Sequence, residues 1–361
     1  MFSCLRQEKL RFPVHYITEN INIYKNYCDK INKCLTILPV TNEKNPLNGD
    51  FIEKYLTIFL KLKIVVSGRG TTFNTNLFYN IEYITYICVG HGVCYFKDYL
   101  YSNYRIYGIK KNDKLLLPPS NKIINIAKKY GWKDKNIIKI NLPRWDKYNN
   151  NNMSSFNLKN REKINSNSIF IMFTWRDIIN SKEISSFYFE NITNLITNDR
   201  LNKHLNKNNI TLYLSFHRLI SINYIKKFKK ISKNKNYVKF IEQNEISECL
   251  SKTSLAITDF SSIIFDLIYR KKPYIIYIPD SNDPNIKDIY KQDYYYLIES
   301  MKNGTINFEN KYFNINETVE KIIYYINNNF KLEKKLEKYY ESFEFKTGNN
   351  IDKFINYLKN L

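Results

Sequence analysis

The chain has 361 residues, which is more than a single hydrophobic core usually spans, so we expect two domains. Its cysteines form neither a CxxC pair nor the Cys and His spacing of a zinc site, which indicates reduced thiols. They are Cys4, Cys28, Cys34, Cys88, Cys94 and Cys249. No leader-like segment follows Met1, and no run of about 18 apolar residues occurs. The composition therefore excludes a small disulfide-stapled scaffold, argues against a secreted or membrane-spanning protein, and favours a cytoplasmic location.

The formal net charge of +22 predicts attraction to phosphate-bearing partners, which include nucleic acid, anionic lipid, nucleotides and polyanionic polymers. The charge also fits a chain-wide bias toward Asn, Lys, Ile and Tyr, because these residues recur even in loop-like segments. Aromatic residues make up 16% of the chain and lie mostly within apolar segments, without the spacing of an RNA-stacking sheet. We therefore expect no nucleic acid partner.

Short β-branched and apolar runs recur along the chain, with helical stretches between them. The runs that predict strands are Ile64 to Ser67, Ile84 to Val89, Lys114 to Leu117, Asn136 to Ile140, Ile169 to Phe173, Ile210 to Leu214, Tyr237 to Ile241, Ser254 to Thr258 and Tyr274 to Ile278. This alternation predicts an α/β fold with parallel sheets and two Rossmann-like domains. The clearest βαβ unit lies between Glu245 and Pro279.

A polar linker separates the two predicted domains. Between Lys147 and Ser168 the sequence is rich in Asn, Ser and Lys and lacks apolar periodicity. We place the boundary there, with one domain over 1–150 and another over 151–345. Residues 346–361 predict a C-terminal helix that can pack back on the N-terminal domain. Open parallel sheets bind ligands in the crevice at the carboxyl ends of their strands, so polar residues at those ends are the first candidates for a site.

One candidate base follows the predicted strand over Ile84 to Val89, where His91 stands between Gly90 and Gly92. The glycines let the backbone turn sharply and leave the imidazole uncovered. A neutral imidazole can take a proton from an attacking hydroxyl near neutral pH. The alternative is a turn histidine that caps a loop.

Two further strand ends carry cations. After Phe173 comes Thr174-Trp175-Arg176-Asp177, where Arg176 can bind a phosphate with two nitrogens or pair locally with Asp177. The next strand ends in Ser215-Phe216-His217-Arg218, which offers a second imidazole at the equivalent place.

The strongest local signal is Thr258-Asp259-Phe260-Ser261-Ser262, which closes a strand and opens a helix. Backbone N–H groups at a helix start bind anions, and the hydroxyls of Thr258, Ser261 and Ser262 can add donors to a diphosphate. The alternative is helix capping by Asp259 or Ser261, which can coexist with phosphate binding. One turn later, Asp266 either reaches a ribose hydroxyl or lies on a solvated face.

Metal-dependent chemistry has no support in the sequence, because no HExxH, P-loop, GxGxxG or DxD pair stands at a strand end. We therefore expect no metal and no cofactor, with a helix start, Arg and His stabilising a leaving diphosphate. His15, in a stretch that reads as irregular, and His204, in an Asn- and Lys-rich helix, are expected at the surface.

In order along the chain, these blocks resemble the CDP-glycerol glycerophosphotransferase family, the teichoic acid polymerases and primases. The blocks are Val89-Gly90-His91-Gly92-Val93, Pro118-Pro119-Ser120, Lys129-Tyr130-Gly131-Trp132, Asn141-Leu142-Pro143-Arg144-Trp145-Asp146, Phe173-Thr174-Trp175-Arg176-Asp177, Phe216-His217, and Thr258 to Ser262 with Phe265-Asp266 and Lys272-Pro273. The resemblance implies a GT-B fold, in which an acceptor-side and a donor-binding domain face each other across a cleft.

The resemblance also implies an activity: transfer of glycerol phosphate or a related polyol phosphate from a CDP-activated donor to a lipid-linked or polymer acceptor. It implies metal-free chemistry at the inner face of the membrane, with His91 as the base. The implied catalytic residues are His91 and His217, and the implied donor-binding residues are Arg176, Thr258, Asp259, Ser261, Ser262 and Asp266. Two alternatives remain open, namely a glycosyltransferase that uses a UDP- or CMP-activated sugar and a non-catalytic polyanion-binding protein.

Overall fold

The computed structural model describes residues 14–18, 35–39, 64–67, 84–89, 93, 95, 109, 111–148, 167–174, 186–216, 222–232, 237–242, 245–289, 292–346 and 348–361. The chain divides into two compact units. Unit 1 comprises Met1–Asn152 together with Phe343–Leu361, and unit 2 comprises Met153–Ser342.

The strands of the described residues are short. They are β1 (Val14–Thr18), β2 (Leu35–Pro39), β3 (Ile64–Ser67), β4 (Thr85–Cys88), β5 (Lys114–Leu117), β6 (Ile137–Lys139), β7 (Ser168–Met172), β8 (Thr211–Ser215), β9 (Val238–Phe240), β10 (Leu255–Thr258), β11 (Tyr274–Tyr277) and β12 (Lys311–Tyr312).

The α-helices of the same residues lie between and after these strands. They are α1 (Asn121–Lys129), α2 (Ser186–Thr197), α3 (Asp199–Lys207), α4 (Ile222–Ser232), α5 (Ile246–Lys252), α6 (Ile263–Tyr269), α7 (Ile286–Ile289), α8 (Gln292–Lys302), α9 (Ile315–Asn327), α10 (Lys334–Glu341) and α11 (Asn350–Lys359).

The predicted α/β fold class is confirmed, and each predicted strand corresponds to one of β3 to β11 with ends shifted by two residues at most. The sequence pattern missed β1, β2 and the two-residue β12. His15 lies in β1, so the expectation of an irregular stretch around it was wrong. Polar residues within β1 and the shortness of β12 hide these strands from an apolar-run criterion.

Unit 1 contains a four-stranded parallel sheet in the order β3-β4-β5-β6 and a parallel pair, β1 with β2. Leu115, Leu116 and Leu117 of β5 are all at most 4% exposed, so both faces of this strand are covered. Helix α1 follows directly and buries Ile123, Ile124 and Ala127. A strand buried on both faces reads as a continuous apolar run, which explains why β5 was recognisable in the sequence.

Helix α1 ends in a Schellman motif. Gly131, at φ 94°, donates its N–H to the Lys128 carbonyl, and Trp132 donates to the Ala127 carbonyl over 3.3 Å. Only a residue without a side chain adopts this positive φ without strain, and the motif satisfies carbonyls that the helix end leaves open. Trp132 is buried at 2% exposure. The block Lys129 to Trp132 therefore forms the C-terminal cap of α1.

The segment after α10 returns to unit 1 and is held there by Asp146. One carboxylate oxygen of Asp146 accepts from the Asn350 backbone N–H at 2.9 Å and from Asn350 Nδ2 at 2.6 Å. The other oxygen accepts from the Ile351 N–H at 2.7 Å. These are the first amides of α11, so a carboxylate distant in sequence caps this helix and favourably meets the positive end of its dipole.

Helix α1 receives a similar cap from the returning segment. The Glu344 carboxylate accepts from the Asn121 N–H at 3.2 Å, and Asn141 Nδ2 donates to the Lys346 carbonyl at 2.5 Å. The Trp145 and Phe345 rings lie 5.0 Å apart. The two stretches of chain that form unit 1 therefore cap each other's helices, since Glu344 caps α1 and Asp146 caps α11. Residues 141 to 146 are the surface that binds the C-terminal segment.

Unit 2 contains a six-stranded parallel sheet in the order β12-β11-β10-β7-β8-β9. Ile169 and Ile171 belong to the apolar cluster on one face, and Phe170 between them is also fully buried. Successive side chains of a strand point to opposite faces, so both faces of β7 are covered.

The described cysteines Cys88 and Cys249 are both buried, and Cys249 is a free thiol. Burial, reinforced by Glu245 and Glu248, raises the pKa of the Cys249 thiol. The free thiol of Cys249 agrees with the prediction of reduced thiols, which stays a prediction for the other cysteines. Among the described helices, none combines the length and apolarity needed to cross a membrane.

We predict that Asp146→Ala destabilises unit 1 by about 2–4 kcal/mol, because it leaves the buried N–H groups at the start of α11 without an acceptor. Urea unfolding followed by tryptophan fluorescence measures this loss, since Trp132 and Trp145 are buried in unit 1. The control is Asp134→Asn, which removes an exposed carboxylate of unit 1 that pairs with Lys128 and Lys139 and is expected to change the unfolding midpoint little. Equal losses in the two variants would contradict the capping role of Asp146.

Candidate functional site

The site in unit 2 is set by the strand order of its sheet. From β7 the chain proceeds outward through β8 to β9, and then crosses over to β10 and proceeds the other way through β11 to β12. The direction of winding therefore reverses between the neighbours β7 and β10. In an open parallel sheet, a crevice for ligands forms at this reversal, outside the carboxyl ends of the two strands. Thr174 follows β7 there, and the segment 259–262 follows β10.

The Asp259 side chain joins these two strand ends. It is fully buried, and each carboxylate oxygen lies 3.0 Å from the Thr174 backbone nitrogen. Thr174 also donates its hydroxyl to Oδ1 of Asp259 at 2.6 Å. The expectation that Asp259 caps the following helix was therefore wrong, because its carboxylate is bound to the neighbouring strand end.

The Thr258 hydroxyl also forms its hydrogen bond within the protein. Its hydroxyl donates to the Met172 carbonyl at 2.5 Å, and the residue is 0% exposed. The hydroxyl hydrogen of Thr258 is therefore not available to a phosphate, contrary to the sequence-based expectation. The reason is the register of the sheet, which places Thr258 opposite Met172.

Ser261 and Ser262 are the polar residues of this turn that remain partly exposed. Within the part of the chain that the structure describes, neither backbone N–H has an acceptor, and the Ser262 side chain caps no amide of α6. Ser261 Oγ lies 3.5 Å from the Ile263 nitrogen, a long contact that gives weak capping at most. The turn therefore offers two N–H groups and two hydroxyls to an anion.

Asp266 lies on α6 and is 2% exposed. The alternative that it occupies a solvated face was wrong, because this short helix is buried along most of its length. Its assignment to a ribose hydroxyl stays a prediction.

His91, Arg176 and His217 lie outside the described residues. The strands that precede them are described: β4 ends at Cys88, β7 at Met172 and β8 at Ser215. In the sheet order β10-β7-β8, Arg176 follows the strand beside β10, and His217 follows the next strand along.

Sequence reasoning missed the role of Thr174, and it also missed a buried polar segment after β11. Asp280, Ser281 and Asp283 are at most 6% exposed, and Ser281 Oγ donates to the Phe313 carbonyl at 3.3 Å. The signal for this segment was a polar run directly after a strand, the same signal that identified 258–262. No group of three or more metal-ligating side chains occurs within the described residues.

A family comparison matches nearly the whole chain. Residues 2–360 match the family described as CDP-glycerol:poly(glycerophosphate) glycerophosphotransferase.

Two curated relatives come from Bacillus. The minor teichoic acid biosynthesis protein GgaB of Bacillus subtilis is 29% identical over 349 residues, which cover 90% of this chain and 34% of GgaB. The teichoic acid poly(glycerol phosphate) polymerase of Bacillus spizizenii is 27% identical over 221 residues, or 58% of this chain and 49% of that protein. The chain thus spans about a third to a half of the length of these relatives.

Solved structures support the fold. A structure of the wall teichoic acid polymerase TagF has a TM-score of 0.64 at 17% identity, covering 98% of this chain and 82% of that one. The UDP-GlcNAc 2-epimerase of Methanocaldococcus jannaschii, solved with UDP-GlcNAc and UDP, has a TM-score of 0.60 at 13% identity, with 99% and 95% covered. At these identities the likeness shows the fold alone, which is the GT-B type. With the match over residues 2–360, the chain belongs to the CDP-glycerol:poly(glycerophosphate) glycerophosphotransferase family.

Proposed function

We propose that this chain transfers glycerol phosphate, or a related polyol phosphate, from a CDP-activated donor to a hydroxyl of a cell-surface polymer or glycolipid. The observation that carries the proposal is the family match along residues 2–360. The polymerase and biosynthesis functions in the names of the Bacillus relatives agree with it.

The donor diphosphate is proposed to bind at the winding reversal of unit 2. Ser261 and Ser262 offer N–H and hydroxyl donors there, and free amides at a helix start favour anions. Arg176 and His217 are proposed to add cationic donors, since they follow β7, which neighbours β10, and β8, which is the next strand in the sheet. Asp266 is proposed to contact the ribose.

The proposed chemistry is a single displacement at phosphorus. The acceptor hydroxyl loses its proton to His91 and forms a bond to the phosphorus that carries the glycerol. The bond from that phosphorus to the bridging oxygen breaks, and CMP leaves with the electron pair. Donors fixed around the diphosphate stabilise the charge that develops on CMP, which is the part a metal ion plays in other transferases. Asp259 does not provide a free carboxylate for a metal, because both of its oxygens accept from Thr174.

We predict that the chain releases CMP from CDP-glycerol in the presence of an oligo(glycerol phosphate) acceptor, and that His91→Asn lowers kcat by about 10²–10⁴-fold, the usual scale of general-base loss. The KM for the donor is expected to change little, because the base acts on the acceptor. Mass spectrometry of the nucleotide and polymer products measures the turnover that gives kcat and, over a range of donor concentrations, the donor KM.

The same assay includes CDP-ribitol, a UDP-sugar and a CMP-sugar, and it is repeated with EDTA. Transfer from a nucleotide sugar in place of CDP-glycerol would favour the glycosyltransferase alternative. Activity lost in EDTA and restored by Mg²⁺ or Mn²⁺ would contradict the metal-free proposal, and a His91→Asn variant with near-normal kcat would remove His91 from the mechanism.

We predict the opposite kinetic signature for the double variant Ser261→Ala, Ser262→Ala. The two hydroxyls contact donor phosphates in the ground state and in the transition state alike, so their loss raises the donor KM more than it lowers kcat. Initial rates against CDP-glycerol concentration measure the split. Unchanged donor affinity in a folded double variant would leave these serines with a structural role only.

We also propose that the protein acts at the inner face of the membrane, bound to anionic lipid by its positive charge. The net charge is +22, and α4 exposes Lys226, Lys229 and Lys230 while it buries Phe228. Each cation near an anionic surface contributes on the order of 1 kcal/mol, and salt screens the attraction.

Vesicle flotation tests this proposal. We expect binding to vesicles that contain phosphatidylserine at low salt, release at high salt, and weak binding to phosphatidylcholine vesicles. The double variant Lys226→Glu, Lys230→Glu is expected to bind more weakly. Equal binding to both vesicle types, or binding to neither, would mean that the charge of +22 reflects composition alone and does not direct the protein to the membrane.

A further inference from the structure

The ends of β7 and β10 are joined by side chains as well as by the sheet. The ladder pairs Thr258 with Met172, and the Thr258 hydroxyl adds a bond of 2.5 Å to the Met172 carbonyl. Directly after the end of β10, the Asp259 side chain extends beyond this pair and binds Thr174. Two successive side chains of one strand end therefore bind the other strand end.

The Asp259 contact is the stronger of the two ties. A fully buried carboxylate is stable only when donors replace the water it has lost. Thr174 supplies a backbone N–H to both oxygens and a hydroxyl at 2.6 Å to one of them. Hydrogen bonds to a charged acceptor are about twice as strong as neutral ones, so this tie fixes both residues firmly.

Asp259 is unsuited to contact a diphosphate itself. Its carboxylate would repel the phosphate charges at short range, and it is 0% exposed. The residues that can contact an anion are Ser261 and Ser262, two and three positions later in the chain.

The turn between Asp259 and the serines is anchored on its other side by Phe260. This ring is 1% exposed and lies 5.7 Å from the ring of Tyr294, in an edge arrangement. Asp259 and Phe260 together leave the backbone before Ser261 little freedom. The loss of either anchor would let the donor groups of the serines move away from the diphosphate, and the loss of this preorganisation weakens donor binding.

We propose that Asp259 is a positioning residue, which holds the Ser261 and Ser262 turn against the end of β7 so that the turn is formed before the donor arrives. The inference rests on the proposed function of this turn in donor binding. It assigns Asp259 no contact with the donor, and it adds Thr174 as the partner through which Asp259 acts.

The test uses variants of both partners, because Asp259→Asn alone could affect folding. Thr174→Val removes the hydroxyl donor but keeps the backbone N–H, and Thr174→Ser restores a hydroxyl. We expect Asp259→Asn and Thr174→Val each to raise the KM for CDP-glycerol about tenfold, the usual effect of losing one hydrogen bond to a charged group. Thr174→Ser is expected to stay close to the wild-type KM, and kcat is expected to change less than KM.

A background variant shows whether Asp259 acts through the serines. In the Ser261→Ala, Ser262→Ala protein, adding Asp259→Asn is expected to raise the donor KM by clearly less than about tenfold, because the two hydroxyls that it positions are already absent and only the backbone N–H groups of the turn remain. If Asp259→Asn raises the donor KM by the same factor in this background as in the wild type, the proposal is overturned. That result would indicate an independent contact between Asp259 and the donor.

The matched control is Thr318→Val in α9, which also removes a hydroxyl bond from a fully buried threonine, here 2.7 Å to the Asn314 carbonyl. It is expected to lower the melting temperature without changing the donor KM. If Thr174→Val behaves like this control while the wild type uses CDP-glycerol, the positioning role is wrong and the proposed function survives. If the folded wild type neither binds nor uses CDP-glycerol, the proposed function and this inference fail together.

Discussion

Every strand pair in the described residues of both units is parallel, and this constraint governs the rest of the architecture. Parallel neighbours cannot be joined by a tight turn, so helices cross between the described strands of unit 2 and cover its sheet. All carboxyl ends of a sheet then meet at one edge. A polar residue directly after β7 is brought beside a polar residue directly after β10, although the two are far apart in sequence.

The same constraint explains what the sequence could predict. Strands covered on both faces, such as β5, β7, β10 and β11, are uninterrupted apolar runs and were found with small errors at their ends. The segment 258–262 was identified as a candidate because it follows such a run directly. Local pattern was less informative for β1, whose polar residues break the run.

Contacts between distant residues were beyond sequence reasoning. Asp259 reads equally well as a cap of the helix that follows it and as a tie to another strand, and only the register of β7 with β10 decides between them. Asp146 and Glu344 likewise find their amides 204 and 223 residues away. Several blocks that carried the family resemblance thus have structural roles: Lys129 to Trp132 ends a helix, and Asn141 to Asp146 receives the C-terminal segment.

Unit 1 is built from two separated stretches of chain, with all of unit 2 between them in sequence. Unit 2 is one continuous stretch of chain and can fold as soon as that stretch has been synthesised, whereas the start of α1 and the Asp146 carboxylate gain their partners only when Glu344 and α11 have been made. Contacts of such high sequence separation are slow to form, because the chain must close a long loop before it gains their stabilisation. Unit 1 therefore begins before unit 2 in the sequence but is completed after it, and until then residues 141 to 146 lack the segment that they bind.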